Sequence, residues 1–189
     1  VFSEDAKNTL YAIESSSVGK AEAQFVGATA NGDIVAYYPY NAQASLSEGK
    51  LTISTDSKQT YNPSLLSQFV ENTPLMVAKA ATGEKLSFEY VMGVLAVNVK
   101  ANLKIRHIEV SSSKPLAGRL VFDTANDYLC SEAESGAKQI ITLDASAELP
   151  EASLDAPKMF YISLPAGEYD DLAVTVTADN GETLTATVA

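Results

Sequence analysis

The side chains that could do chemistry are few and scattered. His107 is the only histidine, which excludes a two-histidine metal site and any dyad needing a second imidazole. It sits between Ile105 and Ile108 in IRHIEV, on an expected strand, where an imidazole reads as a sheet-surface or bend residue rather than a proton-transfer group. Cys130 is the only cysteine, so no intramolecular disulfide can form. Its neighbours in NDYLCSEAES include no histidine or basic residue to lower the thiol pKa, and nucleophilic use is not indicated. Asp123, Asn126 and Asp127 in DTANDY are oxygen donors of the kind calcium takes. The glycine and closing glutamate of a known calcium loop are missing, so solvated turn residues are the expectation. No nucleophile elbow, phosphate-binding glycine loop or EF-hand spacing occurs. The chain is read as no enzyme, with no cofactor.

Tyr37, Tyr38 and Tyr40 surround Pro39 and form the one aromatic group that could act as a platform for a sugar face or a protein partner. On a strand, Tyr37 and Tyr38 point to opposite faces, so at most one of that pair belongs to a platform. The absence of tryptophan weakens a carbohydrate site, and structural tyrosine is the competing reading.

The elements that must hold these residues are strands. Hydrophobic residues are 46% and charged residues 20% of the chain, a composition able to bury a core. Thirteen basic against 24 acidic residues give a net charge of −11. Such a surface repels nucleic-acid phosphates and anionic headgroups. No apolar run approaches the ~18 residues of a membrane-spanning helix. The start VFSEDAKN shows no signal-peptide pattern, as expected of a mature or trimmed chain. No N-x-Ser/Thr acceptor is present, since Asn62 is followed by Pro63.

The organising stretch is Leu86 to Val99, LSFEYVMGVLAVNV. Leu86, Phe88, Tyr90, Met92 and Val94 alternate with Ser87 and Glu89; past Gly93, Leu95, Val97 and Val99 take over. A long strand, bent or bulged near Gly93, is expected. A helical spacing is also present, but the β-branched residues and the internal glycine favour the strand. Leu103 to Val110 repeats the change of parity, so a hairpin centred on Ala101 with a shared kink is expected. Further strands are expected at residues 9–14, 21–27, 33–38, 51–55, 75–80, 116–122, 139–143, 159–164, 172–176 and 183–188. Asn31-Gly32 and Asp179-Asn180-Gly181 are hairpin signals. Asn62-Pro63 offers the start of one short helix carrying Leu65, Leu66, Phe69 and Val70, stopped by Pro74. No repeat or linker divides the chain. The expectation is all-β: a single antiparallel β-sandwich domain over residues 1–189, with one short helix.

The order of DIVAYYPY (from Asp33), QTYNPSLL (from Gln59), NTPLMVAKA before LSFEYVMGVLAVNV, IRHIEVSSSKPLAGRLVF (from Ile105) and FYISLPAGEYDDLAVTVTADNGET (from Phe160) resembles the fimbrillin-like family. These are the subunits and anchors of type V pili on anaerobic oral and gut bacteria. The resemblance runs from about Gly32 to the C-terminus. It implies a secreted, non-enzymatic lipoprotein on the outer cell surface, with a transthyretin-like sandwich. This chain would then be the N-terminal domain of a two-domain protein. It also implies assembly by β-strand addition, in which pilin members lose an N-terminal strand to cleavage after arginine and accept a donor strand from the next subunit. The sequence departs from that pattern: its only arginines, Arg106 and Arg119, fall in expected strands, and no cysteine stands at the N-terminus to carry lipid. A chain already processed and an unprocessed anchor or tip both fit.

The leading expectation is thus a cell-surface structural or adhesive protein, a pilus subunit, tip or anchor at the outer membrane. Its partners would be other subunits or host or bacterial surface proteins. Its strand-exchange residues are placed in the terminal segments, at Leu10, Tyr11, Ile13, Leu184 and Val188. The alternative is a surface glycan-binding module using Tyr37, Tyr38 or Tyr40 with nearby acids.

Overall fold

The computed structural model describes residues 1–18, 20, 22–63, 75–126, 128, 130–133 and 137–188, with the side chains of 131–133 and 188 excepted. Nearly all of the regular structure is strand. In chain order these are β1 (Ala12–Ile13), β2 (Phe25–Val26), β3 (Asp33–Tyr38), β4 (Ser45–Ser47), β5 (Lys50–Thr55), β6 (Lys58–Thr60), β7 (Met76–Ala81), β8 (Glu89–Tyr90) and β9 (Met92–Val99). The second half adds β10 (Leu103–Ser111), β11 (Gly118–Asp123), β12 (Cys130–Ala133), β13 (Ile140–Asp144), β14 (Glu151–Ala152), β15 (Lys158–Pro165), β16 (Leu172–Ala178) and β17 (Thr183–Val188). The one helical element among the described residues is a 3-10 turn at Ser15–Ser17. The expected helix with Leu65, Leu66, Phe69 and Val70 lies outside the described residues.

The strands form an all-β, sandwich-like fold of mostly antiparallel sheets around two apolar cores. One core is shared by the sheet β3-β7-β8 and the sheet β12-β11-β5-β4, and holds Val35, Leu51, Ile53, Leu75, Val77, Leu120 and Phe122. The other lies between β9-β15 and the sheet β17-β16-β10-β13-β6, and holds Ile108, Val110, Leu143, Phe160, Ile162 and Val174. Phe160 meets the Tyr61 ring at 5.4 Å between centroids, tilted by 50°, a favourable aromatic geometry.

The organising stretch is extended, but it breaks at Val91 rather than at Gly93. Glu89 and Tyr90 pair with β7, whereas β9 leaves for β15. Val91 is buried; its N–H donates to Leu75 O at 3.0 Å and its carbonyl accepts from Ala166 N–H at 3.4 Å. Leu95, Val97 and Val99 then face the second core as expected, while Val94 and Tyr90 are exposed. Added bulk at Gly93 would meet its neighbours only at 3.8 Å, so that glycine is not what bends the chain.

The expected hairpin at Ala101 does not form. β9 pairs with β15, and β10 pairs with β13, β14 and β16. Both strands turn apolar residues into the same core from different sheets, so the turn at Ala101 crosses between layers. The parity change within β10 is real: its register shifts between Ile105 and His107, which lets Ile105 and Ile108 both be buried.

Asn31-Gly32 likewise makes a turn without a hairpin. Gly32 takes a φ of +73°, yet both edges of β3 are already engaged, one by β7 and the other by Phe2, which exchanges backbone bonds of 2.8 and 2.9 Å with Val35. β2 pairs with β1 instead. The signal at Asp179-Asn180-Gly181 does make its hairpin, with Gly181 at φ +86° and Thr177 opposite Thr183. Glu48-Gly49 makes another that joins β4 to β5: both residues have positive φ, 51° and 75°, the backbone twist a two-residue hairpin needs.

Candidate functional site

The terminal segments end in different places. β1 and β2 form a separate ribbon, on which Ile13, Phe25 and Val26 are open to solvent, and Leu10 just before it is 60% exposed. Tyr11 is half-buried; its hydroxyl donates to Ala28 O and its ring lies against Gly27. β17 is instead the edge of the largest sheet, paired only with β16 among the described residues. Its Leu184 stands beside Val176, and its Ala186 beside Val174. Those β16 partners are buried, but Leu184 is 44% exposed and Ala186 is exposed too. The inward row of the last strand therefore overhangs the core without a layer across from it. Val188 pairs with Leu172 through its backbone; its side chain lies outside the described part. Thr175 and Thr185 hydroxyls meet at 3.1 Å on the opposite face of the same hairpin.

The three tyrosines separate as strand alternation requires. Tyr37 is buried, with Phe2 stacked on its ring at 5.9 Å. Its hydroxyl lies 2.5 Å from Asn8 Oδ1 and 2.8 Å from Asn41 O. Burial pushes its phenol above the ordinary range. It is a structural residue. Tyr38 and Tyr40 are exposed, but only Tyr40 of the two lines a concavity between the sheets.

That concavity is a cleft of about 710 Å³ where the two cores adjoin. The 39–41 segment, the end of β5, β6 and β15 build its walls, and Leu75, Met92 and Leu116 give it an apolar floor. One wall is closed by a side chain acting as a strand. β6 alternates strictly, so Gln59 points inward and is buried between exposed Lys58 and Thr60. Its Nε2 donates to Ser163 O at 2.6 Å, and its Oε1 accepts from Ser163 N–H at 3.0 Å. These are the two bonds a neighbouring strand would make with β15 at this point. On the β5 side, Asn41 Nδ2 donates to Ser54 O at 3.3 Å. Two hydroxyls of lining residues, Thr55 Oγ1 and Ser163 Oγ, are buried without a partner, each at a cost of about 1–3 kcal/mol. No local signal in the sequence marks Gln59, Thr55 or Ser163 for these positions.

The scattered chemical residues are not brought together. His107 sits at the bulge of β10 with its Nε2 3.9 Å from the Glu109 carboxylate, on the face away from the core. Burial raises the Cys130 thiol above its ordinary range, opposite to what a nucleophile needs. The Asp123 carboxylate accepts from Ala125 N–H at 2.9 Å as a turn residue, and Asp127 lies outside the described residues. No group of three or more metal-ligating side chains occurs among the described residues, and no described helix is long and apolar enough to cross a membrane. Comparison with protein-family models, curated proteins and solved structures gives no match.

Proposed function

We propose that the protein is a non-enzymatic cell-surface subunit or anchor of the fimbrillin-like kind, with a structural or adhesive role, that associates by β-strand addition at β17. The transthyretin-like topology and the outer-surface location implied by the family resemblance belong to the same proposal. The observation that carries it is the uncovered inward row of the edge strand. Leu184 and Ala186 extend a buried apolar face past the last covering layer. An edge strand of this kind invites pairing, because it offers unpaired backbone groups together with apolar surface. The partner is a second copy, whose exposed ribbon carries Ile13, Phe25 and Val26, with Leu10 just before it, apolar surface of the chemistry that the row needs.

The test is the association state of the full chain over a range of concentrations, by native gel and light scattering. Ladders that disappear with Leu184→Lys, and weaken with Phe25→Ser, are expected. Both positions are exposed, so circular dichroism should remain that of the parent. A monomer at every concentration, or ladders indifferent to Leu184→Lys, would overturn the reading.

A further inference from the structure

The cleft between the cores plays no part in strand addition at β17, and its chemistry is of another kind. We propose that it binds a neutral saccharide of one or two rings. Its volume of about 710 Å³ falls in the range of small-molecule sites, roughly 300–1,000 Å³. Its walls are unlike those of a site for an apolar ligand. Asn41, Ser54, Asp56, Lys58 and Thr60 present an amide, hydroxyls and one charge of each sign, beside the apolar floor of Leu75, Met92 and Leu116. Asp56 and Lys58 balance, which leaves no net charge to select an anion or a cation. A sugar matches this division, since its hydroxyl rim both donates and accepts while its C–H faces are apolar.

Two features point to hydroxyl recognition in particular. Tyr40 stands at the cleft and is 45% exposed; its ring is a flat amphipathic surface of the kind suited to a sugar's C–H face. The Asp56 carboxylate is exposed and can accept two hydroxyl donors at once.

The platform is therefore Tyr40 with Asp56, rather than Tyr37 or Tyr38. The experiment is saturation-transfer NMR on the full chain with glucose, galactose, mannose, N-acetylglucosamine, cellobiose and lactose at millimolar concentration. Transfer to at least one sugar is expected. Tyr40→Ala and Asp56→Asn should each weaken it by roughly tenfold in Kd, and Tyr38→Ala, exposed but outside the cleft, should leave it unchanged. All three positions are exposed, so loss of binding with unchanged circular dichroism reports the site itself. Absence of transfer from the whole panel, or transfer that survives the Tyr40→Ala/Asp56→Asn double variant, would overturn the proposal.

Discussion

Replacing Gln59 by leucine tests whether a side-chain amide stands in for a missing strand. The substitution keeps the volume nearly constant, so packing changes little, but Ser163 N–H and C=O lose their partners, at 3.0 and 2.6 Å. Each backbone group left buried and unpaired costs about 1–3 kcal/mol. Leucine recovers part of that because no amide has to be desolvated, leaving a net loss of about 2–4 kcal/mol. For a chain of this size the melting temperature should fall by roughly 4–16 °C. The chain has no tryptophan, so far-UV circular dichroism in urea and on heating is the natural assay. Gln59→Glu adds a second arm. A carboxylate there can accept from Ser163 N–H but cannot donate to Ser163 O, whereas the protonated acid does both. Burial and this donor requirement raise its folded-state pKa. Relative to the parent, the variant is then most stable below the unfolded glutamate pKa of about 4.3 and loses that stability as pH rises through the raised value. A Gln59→Leu protein within about 0.5 kcal/mol of the parent, or a Gln59→Glu deficit that is flat with pH, would refute the strand-surrogate account.

Two further outcomes follow from the same geometry. Tyr169 donates its hydroxyl to Pro165 O at 2.7 Å, and burial, helped by the negative potential of Cys130, pushes its pKa up to about 12. Its contribution to stability is therefore complete below the ordinary value of 10.0 and is lost as pH rises through about 12; spectrophotometric titration should show that late-ionising phenol, and Tyr169→Phe should remove it. Phe122 and Phe160 anchor different cores and are both fully buried, so alanine at either should cost about 3–5 kcal/mol. If the cores fold as one unit, each variant shifts a single urea transition; two separable transitions would show that they fold independently.

Strand existence was legible in the sequence, and strand partnership was not. Alternation located β9, β10 and β16 because each turns one row of apolar side chains inward, and the change of parity between Ile105 and Ile108 correctly marked a bulge. The same alternation carries no information about which strand lies alongside. β9 and β10 look like a hairpin because they are consecutive, yet the partner of β9 is β15, far along the chain. Turn chemistry was reliable where both flanking strands had free edges, as at Gly181, and misleading at Gly32, where β3 had none. The division between Tyr37 and Tyr38 followed from period two alone. The cleft was invisible for the opposite reason: its walls come from segments remote in sequence, and its most constrained member, Gln59, lies in a short polar run that looks like surface.

The junction at Val91 sets a length rule for the whole molecule. A single residue separates a strand of one sheet from a strand of another, and side chains along a strand invert with every step. An insertion or deletion of one residue there would turn Leu95, Val97 and Val99 outward and offer Val94, Ala96 and Asn98 to the second interior. Homologous chains should therefore vary freely in the 82–88 loop but keep the spacing across this junction, because a frame slip there would withdraw three apolar side chains from the second core.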